Sequence, residues 1–378
     1  MPAEPTPSAS PHEQSLSASS DAERWRVISA IADAALDLPA SDRAAFVLQH
    51  CASDASLHRE VQRYVDACDK AAGAPGFLTG HAGVRASGMI QDLGVRTSQA
   101  EAAIPDLLAS ALSGRYTIQD EIGRGGMAIV FAAQDERDHA QVAIKVLRPA
   151  LARELGTQRF LREIEIMARL RHPNLVPLME SGEAAGLLYY VMPRVQGESL
   201  SRLLVRDRQL PSGRTLAIAR DVASALDYAH SLGVVHRDVK PANILLDDAG
   251  ARVVDFGVAR AIVAASGERL TATGLVVGTS YYMSPEQALS EKELDGRSDV
   301  YALACVVYEM LAGTPPFTGP TPQIVLAKHL RARAPDVRDL CPSLGARTAA
   351  VISRGLAKDP KHRFPSAGEF AQALGSSL

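Results

Sequence analysis

Four polar side chains in two short strings could do chemistry together. Asp238, Lys240 and Asn243 lie in His236-Arg-Asp-Val-Lys-Pro-Ala-Asn-Ile-Leu-Leu246, and Asp255 follows in Asp255-Phe256-Gly257. A carboxylate that accepts the proton of an attacking hydroxyl, with an amide and a second carboxylate that hold Mg²⁺, is what in-line phosphoryl transfer requires. The alternative is a polar turn between two strands with incidental acids. Asp-Phe-Gly alone is common by chance, whereas both strings at this spacing are rare.

Composition bounds what surrounds them. The chain has 378 residues, 47% of them apolar, enough for two domains or one large one with an appendage. A net charge of −3 gives no basic field for nucleic acid. Cys51, Cys68, Cys305 and Cys341 lie far apart without His at ligand spacing, as expected of free thiols in a reducing compartment. The N-terminus has no basic flank and apolar core of a signal peptide. The longest apolar run, near Tyr301–Gly313, is too short for a bilayer and contains Glu309. The expectation is a soluble, cytoplasmic protein without a membrane partner.

The elements that must position the acids come in order. Residues 1–19 are Ser/Pro/Ala-rich and predict disorder. Ser20 with Glu23 makes a capping box, and three amphipathic stretches predict a small helical extension over 20–72. The alternative for it is a packing unit without chemistry. Residues 73–113 read as a Gly/Ala-rich linker with a short helix at Ile104–Leu112. From Gly114 strands begin. Gly123, Gly125 and Gly126 form a turn between β-branched runs, either an ordinary hairpin or a loop that lets backbone N–H groups approach phosphates. Strands are expected at Leu175–Leu178 and Leu187–Met192, then a long helix from Pro211 to Leu232 that Gly233 stops. Strands Ile244–Leu246 and Val253–Val254 flank the approach to Asp255. Between Asp255 and Glu286 lies a long aperiodic segment of the kind that is functional or mobile. Asp299, opening the most apolar helix, is expected to anchor the loop around Asp238.

Lys145 sits among apolar residues in Val142-Ala143-Ile144-Lys145, so its ammonium needs an anionic partner. The helix near 156–170 offers Glu163 on the edge of its apolar face. Glu165 points elsewhere by roughly 200°, from the helical step of about 100° per residue, and is the runner-up.

Taken in order, these motifs resemble the bacterial Hanks-type serine/threonine protein kinases over about residues 114–376. The resemblance implies an α+β, bilobal protein kinase fold with a β-rich N-lobe (114–192), a hinge (193–197) and a helical C-lobe (198–376). To this the all-α N-terminal extension is appended. It implies transfer of the ATP γ-phosphoryl group to protein Ser or Thr, with Mg²⁺ (or Mn²⁺) held by Asn243 and Asp255. Asp238 would serve the hydroxyl, Lys240 the moving phosphoryl, and Lys145 with Glu163 the nucleotide. Ile122, Val130 and Ala143 would line the adenine pocket, or serve simply as core. Met192 would stand at the pocket's gate, and Pro193 to Val195 would form the hinge. Only a carbonyl is asked of 193, so a proline lacking N–H is tolerable there. The family's third loop glycine is Ala128 here, and Ser284 replaces the alanine of its Ala-Pro-Glu element. Thr279 matches the threonine that bonds Asp238 and Lys240. Thr271 and Thr273 fall where relatives carry activating phosphates, which Arg237 would pair; each is otherwise a solvated loop residue. Arg363 matches the partner of Glu286. The family alone suggests a homodimer through the N-lobe. Three rivals stand beside this reading: a catalytically dead scaffold, a small-molecule kinase of the antibiotic phosphotransferase type, and an interaction protein working through residues 20–72. The first would have lost Lys145, Asp238 or Asp255, and the second would not need Gly278–Glu286.

Overall fold

The computed structural model describes residues 31–32, 34–35, 38, 40–51, 54–73, 103–125, 127–149, 152, 157–256, 280–291, 293–319 and 321–377. The expected disordered tail, the Ser20 capping box, Gly126 and the three threonines Thr271, Thr273 and Thr279 lie outside these residues.

After helical residues at 31–32 and 34–35 come helices α1 (Ala40–His50) and α2 (Ala55–Gly73). The Asp54 carboxylate caps α2 by accepting from the backbone N–H groups of Ser56 and Leu57, 2.8 and 2.9 Å away. Helix α3 (Ile104–Ala111) starts with a proline in its first turn, where the missing N–H costs nothing.

Strands β1 (Tyr116–Arg124), β2 (Ala128–Asp135) and β3 (Gln141–Leu147) follow, then helix α4 (Thr157–Met167), β4 (Glu180–Ala184) and β5 (Leu187–Pro193). They form an antiparallel sheet in the order β1-β2-β3-β5-β4. The central strands are apolar on both faces because both faces are covered. Alternation puts Ile129, Phe131, Val142, Ile144 and Val191 on one side, where Ile104, Leu108 and Leu112 from α3 and its C-terminal cap bury them. The segment expected as a linker therefore contributes a helix to the lobe's core. On the other side Tyr190 packs with Phe160, Ile164 and Met167 of α4.

The strand expected at Leu175–Leu178 is not one. Leu175 makes a single bridge to Val253, and the partner of β5 is the later, polar Glu180–Ala184. Pro177 has no N–H for a ladder, whereas Glu180–Ala184 sits at the sheet's edge, where polar side chains are tolerated.

The helical body begins with β6 (Glu198–Ser199), α5 (Leu200–Asp207) and α6 (Ser212–Ser231). Gly233, at φ +75°, ends α6, and the Val234 N–H donates back to the Ala229 carbonyl at 3.0 Å. A 3₁₀ turn at Pro241–Asn243 leads into the hairpin β7 (Ile244–Asp247) and β8 (Gly250–Val253). Helices α7 (Pro285–Ala288), α8 (Arg297–Ala312), α9 (Pro322–Arg331), α10 (Ala346–Gly355) and α11 (Ala367–Gly375) complete it. Helix α8 is buried nearly all round, as the central helix of a core must be. No helix among the described residues is long and apolar enough to cross a membrane.

The N-terminal helices do not stand apart. Ala32, Ala35, Val47, Cys51, Val61 and Val65 form one buried cluster with Ile324 and Ala327 of α9.

Candidate active site

The loop that follows α6 is held from beneath by one carboxylate. Asp299, 1% exposed, accepts from the backbone N–H groups of His236 and Arg237, each at 2.8 Å, and from His230 Nε2 at 2.7 Å. This is the anchoring expected of Asp299, with His230 added. Arg237 is thereby kept at φ 67°, a left-handed conformation that an arginine adopts only when its surroundings impose it. The His236 ring supports the loop from within. Its Nδ1 accepts from the Asp238 N–H at 3.1 Å, which leaves Nε2 to donate to the Val254 carbonyl at 3.0 Å. The same ring meets Phe256 edge-on, with centroids 4.4 Å apart.

On this support the polar groups converge. Oδ2 of Asp238 accepts from Lys240 Nζ at 2.7 Å and from Asn243 Nδ2 at 3.0 Å, and Asn243 Nδ2 also donates to the Asp238 carbonyl. The Asp238 Oδ1 atom is buried and accepts no hydrogen bond among the described residues. The Val254 N–H donates to the Asn243 carbonyl at 3.0 Å, which brings Asp255 beside Asn243. Asp255 itself adopts φ 64°.

Lys145 meets its anion in Asp255, with Nζ 2.5 Å from Oδ2. The expected partner, Glu163, belongs to α4, but its side chain lies outside the described residues. Glu165 is exposed and pairs with Arg169 at 3.6 Å. Burial alone would raise the Asp255 carboxyl, but the Lys145 charge and hydrogen bonds from Lys145 and Tyr190 hold it below its ordinary value. Burial, and then the Asp255 charge, push the Tyr190 phenol well above its ordinary value.

Above these groups the sheet presents one face. Register pairs Val130 with Lys145, Ala143 with Met192 and Lys145 with Tyr190, so Val130, Ala143, Lys145, Tyr190 and Met192 share that face. Ile122 is exposed beside it, and Pro193 and Val195 are half-buried where the sheet hands over to the helical body. In the glycine turn, the Gly125 N–H donates to the Ala128 carbonyl at 2.9 Å. A Cβ at Gly123 or Gly125 would meet nothing closer than 3.7 Å, and neither has a positive φ. The protein's own packing therefore does not demand glycine at either position.

From Ser280 onward the chain is tied back to the loop. Ser284 makes a capping box with Gln287, and Gln287 Nε2 donates to the Arg237 carbonyl at 2.7 Å. Serine at 284 thus has a task of its own, since an alanine could not cap α7. Glu286 and Arg363 form a two-point pair at 2.7 and 2.8 Å, both residues buried. Tyr282 donates to Glu309 at 2.6 Å.

Tyr190, His230, Gln287 and the Tyr282–Glu309 pair escaped sequence reasoning. Only Gln287 carried a local signal, three residues after Ser284 in a capping-box pattern. The others depend on strand register or contacts between distant helices.

The geometry has counterparts in known proteins. Residues 116–374 match the family described as the protein kinase domain. A probable serine/threonine-protein kinase of Streptomyces coelicolor is 43% identical over 266 residues, covering 68% of this chain and 39% of that protein. The serine/threonine-protein kinase PknB of Mycobacterium tuberculosis is 43% identical over 271 residues, covering 70% and 43% respectively. The chain therefore spans less than half the length of these relatives. Among solved structures, a point mutant of the PknI kinase domain of Mycobacterium tuberculosis superposes with a TM-score of 0.57 at 34% identity. The match covers 70% of this chain and 96% of that one. With the five-stranded lobe, the helical body and the polar seam between them, this chain belongs to the protein kinase family in its bacterial serine/threonine form.

Proposed function

We propose that this chain transfers the γ-phosphoryl group of ATP to Ser or Thr hydroxyls of proteins. The observation that carries the reading is the orientation of the Asp238 carboxylate by Lys240 and Asn243. Oδ2 is tied to Lys240 and Asn243, while Oδ1 is buried and accepts nothing among the described residues. A hydroxyl arriving at the Asp238 carboxylate would meet an acceptor already oriented by Lys240 and Asn243, and Lys240 would counter the charge of the phosphoryl group in flight. Asn243 and Asp255, whose side-chain oxygens are hard donors and whose segments are joined by the Val254–Asn243 backbone hydrogen bond, fit Mg²⁺, with Mn²⁺ as an alternative. Held there, such an ion would supply charge neutralisation for the phosphoryl group being transferred. Lys145 would order the phosphates, with Glu163 as its expected further partner. Gly123 and Gly125, which the protein's packing does not require, make sense if phosphates must pass close to the backbone. Ile122, Val130, Ala143 and Met192 would wall the base, with the Pro193 carbonyl and the Val195 N–H at its edge.

In this reading residues 114–376, joined by α3, are the kinase domain, 20–72 a helical appendage, and the protein works in the cytoplasm. Phosphorylation of Thr271 or Thr273, paired by Arg237, would activate it, and Thr279 would bridge Asp238 and Lys240. The test is transfer from labelled ATP with Mg²⁺, with phosphosites mapped by mass spectrometry. Wild type should label itself at Thr271 or Thr273, and Asp238→Asn should lose at least about 100-fold in rate. Equal labelling by both proteins would overturn the role of Asp238. Full activity of the Thr271→Ala/Thr273→Ala variant would overturn the activation. A mass measurement on the same preparation tests the N-lobe homodimer, against which a monomer at micromolar concentration would count.

A further inference from the structure

Asp255 is held by two donors, and only one of them is the lysine. Lys145 Nζ donates to Oδ2 and Tyr190 Oη donates to Oδ1, both at 2.5 Å. The donors come from adjacent strands at register-paired positions, so their side chains leave the same face of the sheet side by side. Nζ lies 5.9 Å from the centroid of the Tyr190 ring. That ring is 3% exposed and packed among Leu188 and, from α4, Phe160, Ile164 and Met167. The hydroxyl therefore cannot swing away without disturbing the helix.

A carboxylate turns about its Cβ–Cγ bond with little resistance, since that torsion is broad and roughly two-fold. Fixing one oxygen leaves the group free to pivot, and fixing both stops it. Each carboxylate oxygen can take more than one partner, so a hydrogen bond to Oδ1 does not use up that atom. Without the hydroxyl, the ammonium would be free to straddle both oxygens of Asp255.

We propose that Tyr190 is a positioning residue for phosphoryl transfer: its hydroxyl sets the rotation of the Asp255 carboxylate and limits Lys145 to one of its oxygens, leaving Oδ1 presented to a divalent cation. The inference rests on the kinase reading above and assigns a residue that reading does not use. Tyr190 touches neither nucleotide nor acceptor in this role. It acts through Asp255 alone.

The test separates orientation from packing. Tyr190→Phe keeps the ring and removes only the donor. Mn²⁺ affinity is measured by electron paramagnetic resonance on the full chain with a non-hydrolysable ATP analogue, so that no turnover is needed. The expected result is about tenfold weaker Mn²⁺ binding in the variant, the size of effect that losing one hydrogen bond to a charged group produces. Analogue binding without metal should stay within about twofold. In steady-state assays the Mg²⁺ concentration for half-maximal rate should rise by the same tenfold, while the KM for protein acceptor is unchanged. Should phenylalanine lower the melting temperature, Tyr190→Met, flexible and equally without a donor, should weaken Mn²⁺ alike. Unchanged Mn²⁺ affinity in both variants would overturn the inference and leave Tyr190 as core. Wild-type protein that binds neither the analogue nor Mn²⁺ would overturn the kinase reading along with it.

Discussion

Glu286 and Arg363, 77 positions apart, illustrate what a single pair of residues does here. The guanidinium is fully buried and also donates to the carbonyls of Ala357, Arg297 and Lys358, so it is fixed in place before the carboxylate is counted. Burial would raise the Glu286 carboxyl, but the hydrogen bonds and charge of Arg363, with Ser298, hold it below the ordinary value of 4.5. A carboxylate depressed in the folded state contributes stability that is fully present above 4.5 and lost as pH falls through its folded value. Glu286→Gln should therefore cost about 3–5 kcal/mol at neutral pH, because Arg363 stays buried without its counter-charge. The gap to wild type should narrow once pH drops below 4.5. Urea unfolding at several pH values measures this, and a gap that stays constant would refute it. Residues of this kind differ in how far they can be read beforehand. Asp238, Lys240 and Asn243 are legible because they sit within six positions of each other in one loop. Glu286 and Arg363 become legible only through a family resemblance, since nothing local joins them. Tyr190 is not legible at all, because its role rests on the pairing of β3 with β5, which no single strand encodes.

Elements were legible where their periodicity ran long and failed where it ran short. The 20 residues of α6 follow the apolar spacing and its glycine stop, and α8 follows from its continuous apolarity. Leu175–Leu178 is too short to distinguish a strand from an apolar loop, and Pro177 was the warning. Helix α3 shows a different limit. Its eight residues were visible, but not that they close the outer face of the sheet. That face is what lets β2, β3 and β5 be apolar on both sides, and so lets Lys145 and Tyr190 stand on a rigid support. Leu108→Ala, at a fully buried position, should thus cost about 2–5 kcal/mol. Leu107→Ala, 45% exposed on the same helix, should stay within about 0.5 kcal/mol. Equal effects of the two would mean that α3 contributes propensity alone and does not pack on the sheet.

At the scale of the whole molecule, the N-terminal helices are joined to the helical body through α9. Ile324 and Ala327 face Val61 and Val65 in one apolar cluster, while α9 also packs against α7 and the 3₁₀ turn Ser280–Tyr282. The helix is thus clamped between the appendage and the end of the segment that leads back to the Asp238 loop through Gln287. Removing the apolar contact should loosen α9 first, because local opening is governed by the contacts an element buries. Val61→Asp/Val65→Asp places two carboxylates in the seam, where burial without partners is unfavourable enough to undock the helices. Ile324 would then regain water, at a cost of about 1.5–3 kcal/mol for a side chain of its size. Amide exchange in Pro322–Arg331 should accelerate by about tenfold or more, a factor that corresponds to about 1.4 kcal/mol. Exchange in β5 should not change, since its core is shared with α3 and α4 and not with the appendage. Faster exchange in both would signal global destabilisation. Faster exchange in neither would mean that the appendage and α9 are not energetically coupled. Acceleration confined to α9 and the neighbouring Ser280–Ala288 would establish that residues far from Asp238 set the rigidity of the segment that Gln287 ties to its loop.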